Sequence, residues 1–488
     1  MPLLFEWLEN AVKGRTAGGG SGHAIVYHDT YLSWRGLLHR VERRARELSS
    51  MGIVAGDWVG LMLGNDPEFV VLMLALSRLD AVVVPIDPTT GGRDLDMAFE
   101  TAPLRAIVTR PNAIDPLAAP SGTLRLERQV HVARLIAESR HRISGTLLSC
   151  AFYPWTRPSL ASSEAPEVVL FTLDSGGDPK AVIRGATQLR GIVESLTAAF
   201  DIDPSANVLG AAPLFDSQGF DFGLLASLPQ GATLYLDDAT AGPRMAKALL
   251  EQRINLFATT AREFALLARA SSAKPLNPDT RLVCSGVALP SAVARAFRDR
   301  FGVPVLSCYH SCETGPAAID TQGGHSGSVG KPLPGVEIKV ATDVGEILGR
   351  GISGPIWVRS AGVATTFLPA LPARTGKVSV GRCHPDGWLR TGDVGFFGTD
   401  GSLSLTDRED DIVRVDRRRV ALGEIESCLE GLADVKAAQA FVEYDDTGSS
   451  QIVVRVTPGG RCKSSVMLDH CAKQLAPHKV PKRIEINE

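Results

Sequence analysis

Apolar and polar residues alternate along the first third of the chain in blocks that predict helices and strands in turn. Within residues 31–62, the periodic stretch RGLLHRVERRARELSSMG predicts a helix, and DWVGLML predicts a buried strand after it. The helix EFVVLMLALSRLDA, the strand VVVPID, a helix near 92–100 and the strand AIVT continue the series. Strands that alternate with helices favour a mostly parallel sheet flanked by helices.

The same alternation returns after residue 166. Apolar runs predict the strands EVVLFTL, NVLGAAPLF, ATLYLD, LFATT, RLVCSG and PVLSCYH. Periodic stretches between them predict helices over 186–200, 220–228, 242–252 and 290–301. This second block therefore predicts another parallel-type sheet covered by helices.

The pattern changes character after residue 326. Residues 327–407 are glycine-rich with short alternating apolar runs, which predicts a small β-barrel, and residues beyond 408 mix strands with helices over 423–432 and 464–475. We therefore expect an α/β protein with a large domain, 1–408, and a small mobile α+β domain, 409–488. The large domain would comprise αβα subdomains over about 1–165 and 166–326 and a barrel over 327–408.

Composition narrows the function classes. The chain of 488 residues is 44% hydrophobic and has a formal net charge of −3, so no global positive field recruits nucleic acid or an anionic membrane. No apolar run approaches the roughly 20 residues that span a bilayer, and the first residues lack a signal-peptide pattern. Eight cysteines without a C-x-x-C pair indicate reduced thiols in a cytoplasmic protein.

Several segments together resemble the adenylate-forming ligases, which include acyl-CoA and aryl-CoA synthetases and the adenylation domains of peptide synthetases. The resemblance begins at YLSWRGLLHRVERRARELSSMGIVAGDWVGLMLGNDPEF and AVVVPIDP. It continues through PLFDSQGFDFGLLASLPQGATLYL, YHSCETG, GSVGKPLPGVEIKV and GWLRTGDVGFFGTDGSLSLTDREDDIVRVDRRRVALGEIE, and the last two segments are highly specific. It implies that a carboxylic acid is activated with ATP as an acyl-AMP.

The stretch TLDSGGDPKA aligns with the phosphate loop of that family. The resemblance assigns nucleotide binding there to Thr172, Ser175, Gly176, Gly177 and Lys180, and Lys180 would also act in catalysis. Asp174 stands where the family has a glycine. A carboxylate about 5 Å from a phosphate costs on the order of 3 kcal/mol at an effective dielectric near 20, unless Mg²⁺ or Lys180 offsets it. A solvent-facing turn is the alternative interpretation.

The segment YHSCETG supplies further predicted nucleotide contacts. The resemblance implies that Tyr309 stacks on adenine, that Ser311 and Cys312 contact the nucleotide, and that Glu313 holds Mg²⁺ and acts in catalysis. Cys312 replaces a threonine, and a thiol is a weaker donor than a hydroxyl. A nucleophilic Cys312 with His310 as its base is disfavoured. Side chains two residues apart on a strand face the same way, but this does not bring them into hydrogen-bonding contact.

RTGD and DR match the family at the ribose. Asp393 would accept both ribose hydroxyls, and Arg408 would reach the ribose and act in catalysis. A carboxylate with two acceptor oxygens suits that contact. Nucleoside monophosphate binding therefore has better support in the sequence than triphosphate binding.

The acyl substrate is predicted to meet Asp216, Gly219 and Val287, with Gly286 leaving room for the nucleotide. Asp216 stands where the family commonly has a histidine. If it lines the pocket, a substrate with an amino or other donor group is favoured, because a buried unpaired carboxylate is costly. Its alternative role is a helix N-cap, since aspartate before an apolar helix is a favoured cap.

The last eighty residues contain a predicted hinge and two departures from the family. Asp410 aligns with the residue about which the small domain rotates. Arg417 replaces a glycine near the pantetheine tunnel, within a basic patch whose default interpretation is a solvated face. The printed sequence ends at Glu488, before the Gly-Lys pair whose lysine stabilises adenylation in relatives, so we expect slow adenylation by that route.

Two functions remain open from the sequence. The first is an adenylate-forming ligase that uses ATP, AMP and Mg²⁺ and joins a carboxylic acid to CoA or to a carrier-protein thiol. The second is a ligase-fold homologue that does not adenylate, and that transfers or binds a preformed acyl group or acts as a partner in a biosynthetic complex.

Overall fold

The computed structural model of the chain describes most of its residues. The described residues are 2–17, 22–28, 30–90, 95, 98, 101–102, 104–110, 131–135, 148–152, 164–173, 179–237, 242–269, 274–286, 289–321, 327–368, 383–384, 386–408, 412–415, 418–432, 434–444, 449–460 and 463–486.

A first sheet of eight strands forms around parallel apolar strands. Its central strands, β8 Pro166–Leu173, β4 Val82–Pro85, β3 Trp58–Met62 and β5 Ala106–Thr109, run parallel, and antiparallel strands flank them on both sides. All side chains of β3, β4 and β5 are buried, because helices cover both faces of such a sheet. In spatial order the strands are β19 Thr366–Leu368, β9 Pro179–Gly185, β8 Pro166–Leu173, β4 Val82–Pro85, β3 Trp58–Met62, β5 Ala106–Thr109, β7 Leu148–Phe152 and β6 His131–Leu135.

A second sheet has thirteen strands, and β11, β10, β12, β13 and β14 at its centre are parallel. Its antiparallel end comprises β15 Gly315–Ile319, β16 Ser328–Pro332, β17 Glu337–Val340, β18 Gly354–Arg359, β20 Leu389–Phe397 and β21 Leu403–Arg408. All of these except β15 come from the glycine-rich segment that was predicted to be a small β-barrel, and they are continuous with the parallel strands in one sheet. In spatial order the strands are β17 Glu337–Val340, β18 Gly354–Arg359, β20 Leu389–Phe397, β21 Leu403–Arg408, β16 Ser328–Pro332, β15 Gly315–Ile319, β14 Val305–Ser311, β13 Arg281–Ser285, β12 Leu256–Thr259, β10 Asn207–Gly210, β11 Thr233–Leu236, β1 His23–Tyr27 and β2 Thr30–Ser33.

The two sheets are not formed by two consecutive parts of the chain. The hairpin β1–β2 near the amino terminus pairs with β11 of the second sheet, whereas β8 and β9 pair with the first sheet. The periodicity predicted a boundary between two subdomains near residue 165. The division between the two sheets does not fall there. Periodicity reports the type of an element, and strand pairing across long loops decides the sheet to which it belongs.

Helices cover both large sheets, and their caps follow from local sequence. Ser33 accepts a hydrogen bond from the Gly36 N–H, and Asp66 accepts one from the Glu68 N–H, so each caps the helix that follows. The helices that pack on these sheets are α1 Leu3–Ala17, α2 Trp34–Ser50, α3 Pro67–Arg78, α4 Ala186–Phe200, α5 Gly242–Glu251, α6 Ala261–Ala268 and α7 Ser291–Phe301.

The C-terminal segment has an apolar core of its own, which includes Val420, Ile425, Val454 and Cys471. Burial raises the pKa of the Cys471 thiol to about 12, so this thiol stays protonated. The elements are β22 Ile412–Val415, β23 Arg418–Ala421, α8 Leu422–Glu430, β24 Val435–Tyr444, β25 Ser450–Pro458, α9 Ser464–Gln474, a 3₁₀ turn Pro477–Lys479 and β26 Arg483–Ile486. This composition confirms the α+β class predicted for the segment.

A buried asparagine connects the two large sheets at the carboxyl ends of their strands. Asn65 follows β3, and its amide donates to the carbonyls of Gly210, Ala212 and Asp237 at 3.1, 2.9 and 3.1 Å. Its Oδ1 accepts from the Leu214 N–H at 2.8 Å. The first sheet is thereby tied to the loop after β10, at the edge where open α/β sheets bind ligands.

No helix among the described residues is long and apolar enough to cross a membrane. The described cysteines Cys284, Cys308, Cys312, Cys383, Cys428 and Cys471 are free thiols.

Candidate active site

Three residues far apart in sequence meet beside the end of β14. Tyr309 donates its phenolic hydrogen to Asp393 Oδ2 at 2.5 Å, and Arg408 forms an ion pair with Asp393 Oδ1. Asp393 on β20 and Arg408 on β21 are direct partners in the antiparallel register, which places both side chains on one face. The three residues assigned to adenine and ribose therefore form one cluster.

The electrostatics of this cluster define the state of the tyrosine. Burial, reinforced by the Asp393 carboxylate, raises the pKa of Tyr309 well above its ordinary value. The phenol is therefore a neutral donor, and both Asp393 oxygens are acceptors. The same oxygens suit a pair of ribose hydroxyls, which would replace or share these two bonds.

A second pair of charges lies at the other end of the same strand-turn segment. Lys180, the second residue of β9, contacts Glu313 Oε1 through its ammonium at 3.1 Å, and both side chains are more than nine-tenths buried. The Lys180 ammonium also lies 5.0 Å from the centroid of the Phe367 ring. Thr172 is buried opposite Lys180 in the β8–β9 register. A buried lysine held by a carboxylate can exchange that partner for a phosphate.

The turn that carries Glu313 is held by backbone and hydroxyl hydrogen bonds. Ser311 Oγ accepts from the Thr314 N–H at 3.1 Å, and the Cys312 carbonyl accepts from Arg184 at 2.8 Å. The Glu313 carbonyl accepts from the Ala364 N–H at 2.8 Å. Glu313 is therefore positioned by its neighbours, and Ser311 serves the turn itself.

Asp216 and Gly219, both predicted to contact the acyl substrate, have clear local roles. Asp216 Oδ1 accepts from the Gln218 N–H at 2.9 Å and caps the turn Ser217–Gly219, which is the N-cap alternative. A Cβ on Gly219 would lie 2.1 Å from the Pro213 carbonyl oxygen, so close backbone approach requires a glycine.

The remaining predicted site residues divide between described and undescribed positions. Gly286 follows β13 with a φ of +94°, a left-handed conformation that favours glycine. Asp174, Ser175, Gly176 and Gly177 of the phosphate loop, together with Val287, Asp410 and Arg417, lie outside the described residues.

Sequence reasoning missed a fully buried ionic cluster beneath Tyr309. Arg184 Nη1 and Nη2 contact the two oxygens of Asp221 at 2.5 and 3.2 Å, and His310 Nε2 lies 2.9 Å from Asp221 Oδ2. All three side chains have 0% exposure. Burial alone would raise the pKa of Asp221, but Arg184 and His310 hold it below its ordinary value. His310 was considered only as a base for Cys312, and no sequence signal singled out Arg184 or Asp221.

These residues fit a magnesium nucleotide. No group of three or more histidine, cysteine, aspartate or glutamate side chains forms a metal cage in the described part of the chain. Magnesium is commonly held by one or two carboxylates and by phosphate oxygens of the substrate, which the buried Glu313 beside Lys180 satisfies.

The chain belongs to the AMP-binding enzyme family, whose model matches residues 15–368. It is an acyl-CoA synthetase-like enzyme of the adenylate-forming ligase class, in agreement with the names of its relatives. The resemblance stated from the motifs is thereby confirmed.

Individual relatives cover nearly the whole chain. An oxalate–CoA ligase of Arabidopsis thaliana is 27% identical over 92% of this chain and 88% of its own length. A linear gramicidin synthase of Brevibacillus parabrevis is 26% identical over 88% of this chain and 5% of its own. Among solved structures, the amide bond synthetase McbA from Marinactinospora thermotolerans has a TM-score of 0.79 and 25% identity, with 99% and 95% of the two chains covered.

Proposed function

We propose that this protein activates a carboxylic acid with ATP as an acyl-AMP and transfers the acyl group to the thiol of CoA or of a carrier protein. The observation that carries the proposal is that Tyr309, Asp393 and Arg408 form one cluster. Tyr309 lies on β14, and the turn after β14 carries Glu313, which contacts Lys180. One segment, residues 309–313, thus links the ribose end of the site to the phosphate end. CoA ligase and peptide synthetase relatives support the two kinds of thiol acceptor.

In this proposal each charged residue has a role that suits its environment. Asp393 and Arg408 hold the ribose, and Tyr309 covers the adenine. Lys180 exchanges Glu313 for a phosphate when ATP binds, since both are buried where charge pairs interact strongly. Glu313 then holds Mg²⁺, which neutralises charge on the phosphates. Cys312 contacts the nucleotide through the same turn.

We also propose that residues 1–408 and 409–488 are separate domains with a hinge at Asp410. The independent apolar core of the C-terminal segment, which includes Ile425 and Val454, supports this division. Rotation about the hinge would bring the small domain over the site for the second half-reaction.

ATP–pyrophosphate exchange in the presence of a panel of carboxylic acids tests the proposed activity. We expect acid-dependent exchange in the wild type and a loss of about a hundredfold in Lys180→Met, because a positioned charge on the phosphates is removed. Lys339→Met is the matched control, since its ammonium lies 4.5 Å from the centroid of the Trp388 ring, away from Glu313.

The outcome separates the two functions that the sequence leaves open. Equal exchange in Lys180→Met and wild type would contradict the role of Lys180. AMP binding without exchange for any acid would overturn adenylation and favour a homologue that binds or transfers a preformed acyl group.

Asp174→Gly is expected to raise affinity for ATP by roughly tenfold or more while leaving affinity for AMP unchanged, because it removes a negative charge near the distal phosphates. Asp178→Gly, which removes the other aspartate of the stretch TLDSGGDPKA, is the matched control. Isothermal titration with both nucleotides in the presence of Mg²⁺ measures the change. An equal gain in the two variants, or none in Asp174→Gly, would show that Asp174 does not face the phosphates.

A further inference from the structure

The ionic cluster beneath Tyr309 leaves one nitrogen of His310 without a partner. Asp221 accepts two bonds from Arg184, and its Oδ2 also faces His310 Nε2 at 2.9 Å. A carboxylate can only accept, so the hydrogen of the imidazole is on Nε2. In the neutral ring Nδ1 is therefore an acceptor, and it is buried with no hydrogen-bond partner among the described residues.

Among the buried polar atoms that lack a hydrogen-bond partner in the part of the chain that the structure describes, two besides His310 Nδ1 lie near the ends of the same parallel strands. They are the amide nitrogen of Gln218, whose residue is 1% exposed, and the hydroxyl of Ser285, whose residue is 0% exposed. Native proteins pair nearly all buried polar groups, so each exception requires a ligand, a water or a functional reason. Arg184 Nε, inside the ionic cluster, is a fourth such atom, and the position of the other three near the strand ends calls for a common explanation.

Ser285 and His310 belong to one face of the second sheet, and the turn that carries Gln218 precedes a helical turn packed on His310. Ser285 pairs with Cys308 in the parallel register of β13 and β14, so its side chain points to the same face as Cys308 and, two residues on, His310. The turn carrying Gln218 runs directly into the π-helical turn Phe220–Leu225. Phe222 of that turn lies 5.5 Å from His310 between ring centroids.

This face ends where ligands bind to such folds. β10, β12, β13 and β14 are parallel neighbours. Ser285 is the last residue of β13, His310 is the last but one of β14, and Gln218 lies in the turn that follows the loop after β10. Open α/β sheets hold their ligands outside those ends. The adjoining residue Tyr309 already belongs to the candidate nucleotide site.

The chemistry of the three groups specifies a neutral partner. They provide an amide donor, a hydroxyl that donates or accepts, and an imidazole acceptor. The charge of Arg184 is already balanced by Asp221, so a second carboxylate or an ammonium group would be left uncompensated in a buried site.

We propose that His310, Gln218 and Ser285 form the polar end of the acyl site and select carboxylic acids that carry a hydroxyl group. The hydroxyl donates to His310 Nδ1 and accepts from Gln218 or Ser285. The Arg184–Asp221 pair acts at one remove, because it holds the imidazole in the tautomer that presents an acceptor. This inference rests on the proposed function, since it names the substrate class of the same site.

Matched sets of acids test the inference in two assays. The sets are benzoate, 4-hydroxybenzoate and terephthalate, and hexanoate, 6-hydroxyhexanoate and adipate, measured by direct titration with AMP present and by pyrophosphate exchange. We expect the hydroxy acid of at least one set to be preferred about tenfold or more over its unsubstituted and dicarboxylic analogues, because the analogues leave buried groups unpaired. In His310→Phe that ratio is expected to fall to about one.

Control variants keep the result decisive. His384→Phe makes the same substitution at an exposed histidine and is expected to keep the ratio. AMP affinity reports whether His310→Phe is folded, and if it is not, Ser285→Ala replaces it and is expected to lower the ratio. Three outcomes overturn the inference. They are a preference for the unsubstituted or dicarboxylic acid, an unchanged preference ratio in the folded variants, and no binding of any acid. If the hydroxy acid is preferred in the binding assay but no pyrophosphate exchange occurs, the inference about the acyl site is supported. Only the proposed adenylation activity is then overturned.

Discussion

Asp221→Leu is expected to lower the free energy of unfolding by about 3–5 kcal/mol, because it leaves the Arg184 guanidinium buried without a counter-charge. Arg184 and Asp221 are both 0% exposed, and the carboxylate accepts two bonds from the guanidinium and faces the imidazole of His310. Removing one partner of such a pair is costlier than removing both. Urea denaturation followed by tryptophan fluorescence measures the change, as a shift of the transition midpoint at constant slope.

Two companion variants isolate the buried charge as the cause. The double variant Arg184→Met/Asp221→Leu is expected to recover much of the lost stability, because neither charge remains. Glu337→Gln breaks a similar two-bond contact to Arg359 on the exposed surface and is expected to leave the midpoint nearly unchanged. A double variant that is as unstable as the sum of its single variants would show that packing, and not the unpaired charge, dominates.

Local sequence predicted the elements far better than it predicted their assembly. The predicted helix over 186–200 and the predicted strand EVVLFTL coincide with α4 and β8, since each has a strong local pattern of its own. The first helix, α1, and the hairpin β1–β2 were not predicted. The hairpin also joins the second sheet, beside a strand about two hundred residues later, which no local pattern reports.

The candidate site shows the same division. Asp393 and Arg408 lie fifteen residues apart within recognisable motifs, and the β20–β21 register joins them. Arg184, Asp221 and His310 come from three separate segments, and each alone matches an ordinary surface or capping residue. Their contact depends on the packing of the π-helical turn between β9 and β14, so only the folded structure reveals it.

The Tyr309–Asp393 cluster and the His310–Asp221 cluster lie on opposite faces of β14. Tyr309 points to Asp393, and the next residue, His310, points to Asp221, because successive side chains on a strand face opposite sides. In our proposals, this strand therefore contacts the nucleotide with one face and the acyl group with the other. In such an arrangement, a polar residue at position 310 would alter acid selection without removing a nucleotide contact.

Asp393→Asn is expected to weaken AMP binding by about tenfold to a hundredfold, because a carboxylate that accepts two hydroxyls is replaced by an amide that accepts at one oxygen. The same carboxylate holds Tyr309 and Arg408, so its loss also loosens the residues around it. Affinity for AMP alone would not distinguish these two causes. Comparison of AMP with 2′,3′-dideoxy-AMP by isothermal titration does so, since only AMP has the hydroxyls.

In the wild type, AMP is expected to bind at least tenfold more tightly than the dideoxy nucleotide, and in Asp393→Asn that ratio is expected to shrink towards one. A purely structural role for Asp393 would weaken both nucleotides equally and leave the ratio unchanged. Asp386→Asn, which alters an exposed aspartate seven positions earlier and just before the same motif, is the matched control and is expected to keep the wild-type ratio. If wild type does not distinguish the two nucleotides, Asp393 does not bind the ribose, and the proposed placement of the nucleotide is wrong.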